Sequence, residues 1–250
     1  MNNIHSAVAI IPARLQSSRL PNKPLVDICG MPMIVHVFKR CLLAKTLDDV
    51  YVATDSEEIR DAVISNGGKV IMTSSRHRTG TDRIAEAAKN LSSEYIVNIQ
   101  GDEPLVNPDH IDKIVTVLKN DTGINVGILV NKFSKENSIS DIKVVLNRYN
   151  DVMYFSRSDI PSNARSSHSM MLKAYHVIPF RREFLLKYVE MDRGILEKVE
   201  YNEYLRILEA GYPIRAVEVE SSAISVDTSN DLIDVRNMMK VDKLFINSLY

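Results

Sequence analysis

Tryptophan is absent from this chain of 250 residues, and cysteine occurs only as Cys29 and Cys41. With no CxxC pair, the two thiols support neither a disulfide framework nor a zinc site, and they read as small buried hydrophobes in a reducing cytoplasm. No apolar run approaches the roughly 18 residues of a membrane span. The first residues, Met1-Asn2-Asn3-Ile4-His5, lack a signal peptide's charged and apolar regions, so a cytoplasmic protein with no membrane partner is expected. Excess charge is missing too. A formal net charge of −1, without tryptophan for stacking, argues against a general nucleic-acid partner. Glycine is absent from Arg14 to Arg19, so no G-x-G-x-x-G follows the first apolar run. A dinucleotide-dependent oxidoreductase needs that fingerprint to bring backbone close to pyrophosphate, and the sequence argues against one. Internal repeats and low-complexity segments are also absent.

What the chain has in place of glycine is a cationic, proline-bound loop. Ala7 to Pro12 is an apolar run of strand length, and the residues after it carry Arg14, Arg19 and Lys23 among Ser17, Ser18, Pro21 and Pro24. In an open α/β sheet, ligands bind beyond the carboxyl ends of the strands. Fixed cations and free backbone N–H groups there suit a polyphosphate, and the prolines restrict the loop before any ligand arrives. The plainer alternative is a solvated connector whose cations pair with surface acids.

Periodicity then predicts a βαβ rhythm. A helix is expected over 31–43, with His36 as a packing histidine. A strand over 49–55 ends in Asp55, a helix over 57–65 is capped by Asp55 or Ser56 and stopped by Gly67-Gly68, and a third strand covers 69–72. The polar loop 73–81 enters a helix over 82–91, with Thr79 or Thr81 as its cap. A strand over 94–100 ends at Gly101-Asp102-Glu103-Pro104, which puts Asp102 at the mouth of the sheet, either as an Asx-turn residue or as a carboxylate for Mg²⁺. A helix over 108–118, with Asn107 as its cap, and a strand over 125–130 follow. Beyond 131 the rhythm changes to short β-like segments, 142–146 and 152–155, then to a polar stretch over 156–169. One apolar strand is expected over 170–178, helices over 181–190 and around 199–210, a strand over 214–218, and a final helix over 230–241.

The run Ile11-Pro12-Ala13-Arg14-x-x-Ser17-x-Arg19-Leu20-Pro21-x-Lys23-Pro24-Leu25 resembles the signature of the CMP-Kdo synthetases. These cytidylyltransferases activate 3-deoxy-D-manno-octulosonate (Kdo) for lipopolysaccharide. Further similar runs follow in the family's order: 32–37, Val52-Ala53-Thr54-Asp55, Thr79-Gly80-Thr81-Asp82-Arg83, Asn98 to Pro104, Lys143-Val144-Val145, Tyr154 to Arg157 and Val226-Asp227-Thr228. The resemblance covers roughly residues 7–238.

It implies an α/β fold, a Rossmann-like mixed-sheet nucleotidyltransferase (GT-A-like) with a smaller β-rich insertion or lid. It implies one cytidylyltransferase domain over 1–250, with a CTP-binding half (1–130), an acceptor-binding and dimerisation half (131–228) and a C-terminal helix and tail (229–250). An oxygen of an acidic sugar would attack the α-phosphorus of CTP and release pyrophosphate, with no nucleophilic residue needed. Arg14, Lys23, Ser18 and Arg19 would hold the triphosphate, and Asp102 and Asp227 would grip Mg²⁺. Ala13, Ala53, Asp55, Arg78, Gly80, Thr81 and Gln100 would complete the nucleotide site. Gln100, Lys143, Arg157, His176, Glu203 and Tyr204 would bind the acid, and a homodimer would form around residues 156–180 through Met170-Met171-Leu172.

The acceptor half departs from the family. The His-x-Gly-x-Tyr run of typical members aligns with Ala174 and Ile178 at the histidine and tyrosine, and the family glutamine two residues before Arg206 is Tyr204. A lost polar contact to a sugar hydroxyl typically costs about 1–3 kcal/mol, so these changes favour a modified acceptor unless His176, placed on the same strand face as Ala174, compensates. A paralogue acting on a modified ulosonic acid or a phosphonate, and a non-catalytic nucleotide-binding protein, stand as alternatives.

Overall fold

Seven residues, Ala7–Ala13, form β1, and all but Pro12 are buried. Our computed structural model describes residues 6–16, 20–162, 164–165 and 170–247. The chain divides into one unit made of the part up to Asp112 with the return from Ala223, and a second made of Lys113–Ser222.

In the first unit, β1 is followed by a small hairpin, β2 (Asp27–Ile28) and β3 (Met31–Pro32), and by α1 (Met33–Cys41). Then come β4 (Asp49–Thr54), α2 (Glu57–Ser65), β5 (Lys69–Met72), α3 (Gly80–Ala88) and β6 (Tyr95–Ile99). β1 pairs in parallel with β4 and with β6, and β4 in parallel with β5. Parallel strands linked by helices read as near-continuous apolar runs, which β1 and β6 are. Ser56 caps α2 by accepting from Ile59 N–H. Helix α1 begins two residues later than the periodicity suggests, because the segment before it turns back on itself at Cys29 and Gly30, both at positive φ. His36 is the packing histidine expected: it is fully buried, and its Nε2 donates to the Ile28 carbonyl at 2.7 Å.

Helix α4 (Pro108–Asn120) follows, and the division between the units falls within it. The second unit contains β7 (Gly127–Phe133), β8 (Lys143–Leu146), β9 (Val152–Ser156), β10 (Met171–Tyr175), β11 (Val177–Arg181), α5 (Arg182–Tyr188), α6 (Ile195–Glu200), α7 (Leu205–Glu209) and β12 (Arg215–Val219). Its sheet runs β12-β7-β10-β8-β9, parallel between β12 and β7 and antiparallel elsewhere. Two expectations are corrected here. The apolar stretch 170–178 is two strands, because the β10 ladder with β7 ends at Tyr175 and the chain breaks at His176. The helix around 199–210 is also two, because Tyr201 adopts a left-handed φ of 50° and Asn202 accepts from Tyr204 N–H to start a new turn.

The chain then returns to the first unit with α8 (Ser229–Met239), capped by Thr228 and Asp231 in a reciprocal box, and α9 (Lys243–Ile246). Leu232, Val235 and Met239 of α8 pack with Val226, Ile28, Met33 and Leu105 in one apolar cluster. Among the described residues, no helix is long and apolar enough to cross a membrane.

Burial pushes the His36 imidazole below its ordinary value of 6.5, outweighing the hydrogen bond to Ile28 that raises it. A folded-state pKa below the unfolded one means the neutral ring contributes stability above about pH 6.5 that is lost as pH falls towards the folded value. His36→Gln, which keeps a donor for Ile28, should flatten the fall in unfolding free energy on going from about pH 7 to about pH 5.5, measured by urea titration.

Candidate active site

Asn22, at a left-handed φ of 51°, turns the chain into a single 3-10 turn, Lys23–Leu25. From this turn Lys23 reaches two carboxylates: its Nζ lies 2.6 Å from Asp102 Oδ2 and 3.1 Å from Asp227 Oδ1. Asp102 sits on the turn beyond β6, and that turn presses on β1. A Cβ at Gly101 would fall 3.0 Å from the Pro12 carbonyl oxygen and 3.1 Å from Ile34 Cδ1, so a side chain here would press the turn away from β1 by a few tenths of an ångström. Asp227 is brought in by its neighbour: Val226 is buried in the α8 cluster and donates its N–H to the Asp102 carbonyl at 2.9 Å.

Two carboxylate oxygens converging on one positive centre are a donor set that fits Mg²⁺, which takes one or two carboxylates together with substrate phosphates and keeps several waters. Among the described residues, no group of three or more His, Cys, Asp or Glu side chains gathers to hold a metal. The remaining coordination would therefore come from phosphate and water.

Around this centre, Ala13 and Ala53 are buried at the ends of β1 and β4, while Arg14 and Arg78 are exposed. Ser18 and Arg19 lie outside the described residues. The cap of α3 is Thr79, in a reciprocal box with Asp82. That leaves the buried Thr81 to accept from Asn98 Nδ2 at 3.4 Å, and Asn98 in turn accepts from Gln100 Nε2 at 3.0 Å. Gly80 approaches Pro12 so closely that a Cβ would meet the ring at 3.1 Å.

Asp55 is ion-paired with Arg83 at 3.1 Å, and Arg83 also donates to Thr73 Oγ1 at 2.6 Å. This buried arginine ties the ends of β4 and β5 to α3, a role the sequence reading did not assign. Its signal was a charged residue in the register of the apolar stripe, with Ala87 four positions on. Similarly, the His77 hydrogen bond and the Ser74 N–H hold the Glu86 carboxyl below its usual range and pin the polar loop to α3.

The second unit's candidates are arranged differently. Lys143 is 0% exposed, and its ammonium donates to the carbonyls of Ser138, Asp141 and Arg157, which uses all three of its N–H groups. Arg157 donates to the carbonyls of Ile139, Glu200 and Tyr201, and so holds the left-handed end of α6. Glu203 accepts from the Tyr188 hydroxyl through its carbonyl at 2.9 Å and, less closely, its carboxylate at 3.4 Å. The rings of His176 and Tyr204 are tilted neighbours with centroids 6.3 Å apart. Ala174 and Ile178 are both buried, on β10 and β11, and His176 falls in the break between those strands, so the shared strand face expected of His176 and Ala174 does not form.

Behind Glu203 lies a charged pair that sequence reasoning missed. Glu197, 1% exposed, takes both ends of the Arg206 guanidinium at 2.7 Å, and Arg206 stacks on the Tyr188 ring at 4.7 Å. Of the apolar residues expected at a dimer contact, Met171 is buried in its own sheet and Met170 remains 61% exposed.

Residues 8–220 match the cytidylyltransferase family. A 3-deoxy-manno-octulosonate cytidylyltransferase of Syntrophus aciditrophicus is 40% identical over 239 residues, covering 93% of this chain and 96% of that protein. The protein of the same name from Escherichia coli is 39% identical over 235 residues, covering 93% and 96%. The solved structure of CMP:2-keto-3-deoxy-manno-octonic acid synthetase complexed with CTP is similar at a TM-score of 0.91 and 38% identity, over 94% of this chain and 99% of that one. A 4-diphosphocytidyl-2C-methyl-D-erythritol synthase from Anaerococcus prevotii, with a TM-score of 0.65 and 15% identity over 94% and 96%, shares the fold alone.

The Lys143 geometry generates a prediction that separates support from substrate binding. Lys143→Met would strip three carbonyls of a charged donor and should cost about 3 kcal/mol of unfolding free energy, whether or not an acceptor is present. A variant of wild-type stability with a raised acceptor KM would assign the ammonium to the substrate instead.

Proposed function

The chain belongs to the 3-deoxy-manno-octulosonate cytidylyltransferase family, the CMP-Kdo synthetases, and from that premise we propose how its residues divide the work. It is an enzyme with the Rossmann-like, mixed α/β nucleotidyltransferase fold and a β-rich insertion. It transfers CMP from CTP to a Kdo-like acidic sugar in lipopolysaccharide biosynthesis, and the family's catalysis depends on Mg²⁺.

In our reading the first unit binds CTP. Arg14 and Lys23, with Ser18 and Arg19, hold the triphosphate and stabilise the charge that develops on the departing pyrophosphate. The loop 76–81, with Arg78, Gly80 and Thr81, reads the cytosine, and Arg83 and Asp55 keep it in place. Ala13, Ala53 and Gln100 complete the nucleotide site. Asp102 and Asp227 would hold Mg²⁺, which when bound neutralises phosphate charge. The observation that carries this reading is the convergence of both carboxylates on the Lys23 ammonium. No side chain needs to act as a nucleophile, because the acceptor's own oxygen attacks phosphorus.

The second unit supplies the acceptor candidates Lys143, Arg157, His176, Glu203 and Tyr204, and Gln100 is the candidate from the first. Since Lys143 and Arg157 spend their donors on carbonyls, we assign them to shaping the loop 138–141 and the end of α6. Contact with the acid is then left to Glu203, His176 and Tyr204. Kdo or a close 3-deoxy-ulosonic relative is the acceptor this supports. The buried, apolar Ala174 and Ile178 favour a second version of it, a modified ulosonic acid or a phosphonate. The protein works as a homodimer in this proposal. Its support is exposed apolar side chains of the second unit, Met153, Met170, Ile195, Val199 and Tyr201. Two free cysteines fit a cytoplasmic enzyme.

Pyrophosphate release measured with CTP against Kdo, an amino-substituted Kdo, sialic acid and small phosphonates tests the acceptor. Asp102→Asn should lower turnover by at least about 100-fold on every acceptor. Ala174→His with Ile178→Tyr should shift acceptor choice and leave the KM for CTP unchanged, and a loss of CTP affinity in that double variant would withdraw the acceptor assignment. Light scattering at working concentration should give twice the chain mass, and a monomer would remove the dimer.

A further inference from the structure

We infer that Lys23 is a built-in placeholder for the divalent cation: its ammonium holds Asp102 and Asp227 together in the nucleotide-free protein and keeps metal out until phosphates draw the lysine away. This rests on the reading of Asp102 and Asp227 as the metal's carboxylates.

The Lys23 Nζ lies 2.6 Å from one carboxylate and 3.1 Å from the other, so it occupies the point on which both converge. Its side chain is 14% exposed and theirs are 28% and 35%, which leaves the three charges only partly screened by water. An ion arriving without nucleotide therefore meets a pair whose charge is already half offset and must displace a tethered cation. Mg²⁺ dehydrates reluctantly, which makes that exchange still less favourable.

The backbone under the lysine stays put during such an exchange. Leu25 N–H donates to the Asn22 carbonyl at 2.8 Å and Val26 N–H to the Lys23 carbonyl at 3.3 Å, closing the 3-10 turn. A compact ammonium on a flexible four-carbon stem can then swing while its anchor remains fixed. A triphosphate offers it a denser anion, and once it leaves, the two adjacent carboxylates have lost that ammonium and attract a divalent ion more strongly. Nucleotide and metal are thus coupled through one side chain, and the coupling is reciprocal: whatever nucleotide does for metal affinity, metal does for nucleotide affinity.

The test uses Mn²⁺ alone, titrated into nucleotide-free protein and followed by the electron paramagnetic resonance signal of the free ion. Lys23→Met should bind one Mn²⁺ at least about tenfold more tightly than wild type. Lys23→Arg, which keeps the charge, should stay within about threefold of wild type. Lys23→Met with Asp102→Asn should lose the gain, and Lys23→Gln replaces Lys23→Met if the latter does not fold. Equal Mn²⁺ affinities for wild type and Lys23→Met, both abolished by Asp102→Asn, would overturn the placeholder and leave the metal assignment standing. A gain that survives Asp102→Asn would overturn the carboxylate reading and the placeholder with it. Absence of saturable Mn²⁺ binding to Lys23→Met would also overturn the placeholder.

Discussion

Asp102 and Asp227 repel each other wherever the fold brings them close, and the first unit is arranged to bring them close. The turn at Gly101 sits tightly against the Pro12 carbonyl, with little room for a side chain, and the hydrogen bond from Val226 to Asp102 fixes the second carboxylate relative to the first. Apolar burial supplies the force: Val226 is locked in the cluster formed by α8, the hairpin and α1. Electrostatic cost at the centre is therefore met by packing a few ångströms away, and the Lys23 ammonium supplies countercharge to both carboxylates.

Much of the first unit was legible because its physics is local. Apolar runs of strand length, a serine cap at Ser56 and glycine stops give β1, β4, β5, β6 and α2 within a residue or two. The hairpin before α1 was hidden, since Cys29 is not a residue whose positive φ a sequence announces. Asp102 and Asp227 were both readable as site residues from the resemblance. Their meeting on Lys23 was not, because it depends on the return of α8 across more than a hundred residues.

The second unit resisted reading for a different reason. Its elements are ended by side chains acting over distance: Arg157 holds the end of α6, and Glu209 accepts from the N–H groups of Ile195, Leu196 and Glu197 at its start. Charged residues at 197, 206 and 209 were given no partner in sequence, yet most of their polar atoms face carbonyls, amides or each other. Lys143 is the sharpest instance. A resemblance marks it for the acid, and in the structure its buried ammonium donates to three carbonyls, as a cation bound within a scaffold would.

The first unit is discontinuous in sequence, and this gives the polypeptide a built-in order of completion as it leaves the ribosome. The parallel strands and the turn that carries Lys23 emerge early, but Asp227, Val226 and α8 come only after all of the second unit. Until then Ile28 and Met33 have no α8 to cover them, and the centre has one carboxylate instead of two. A chain released before α8 carries a nearly complete strand order without the Lys23–Asp227 pair, and leaves an apolar surface uncovered. A segment that follows the whole second unit in sequence thus completes the apolar cluster and brings the second carboxylate to Lys23 in one act.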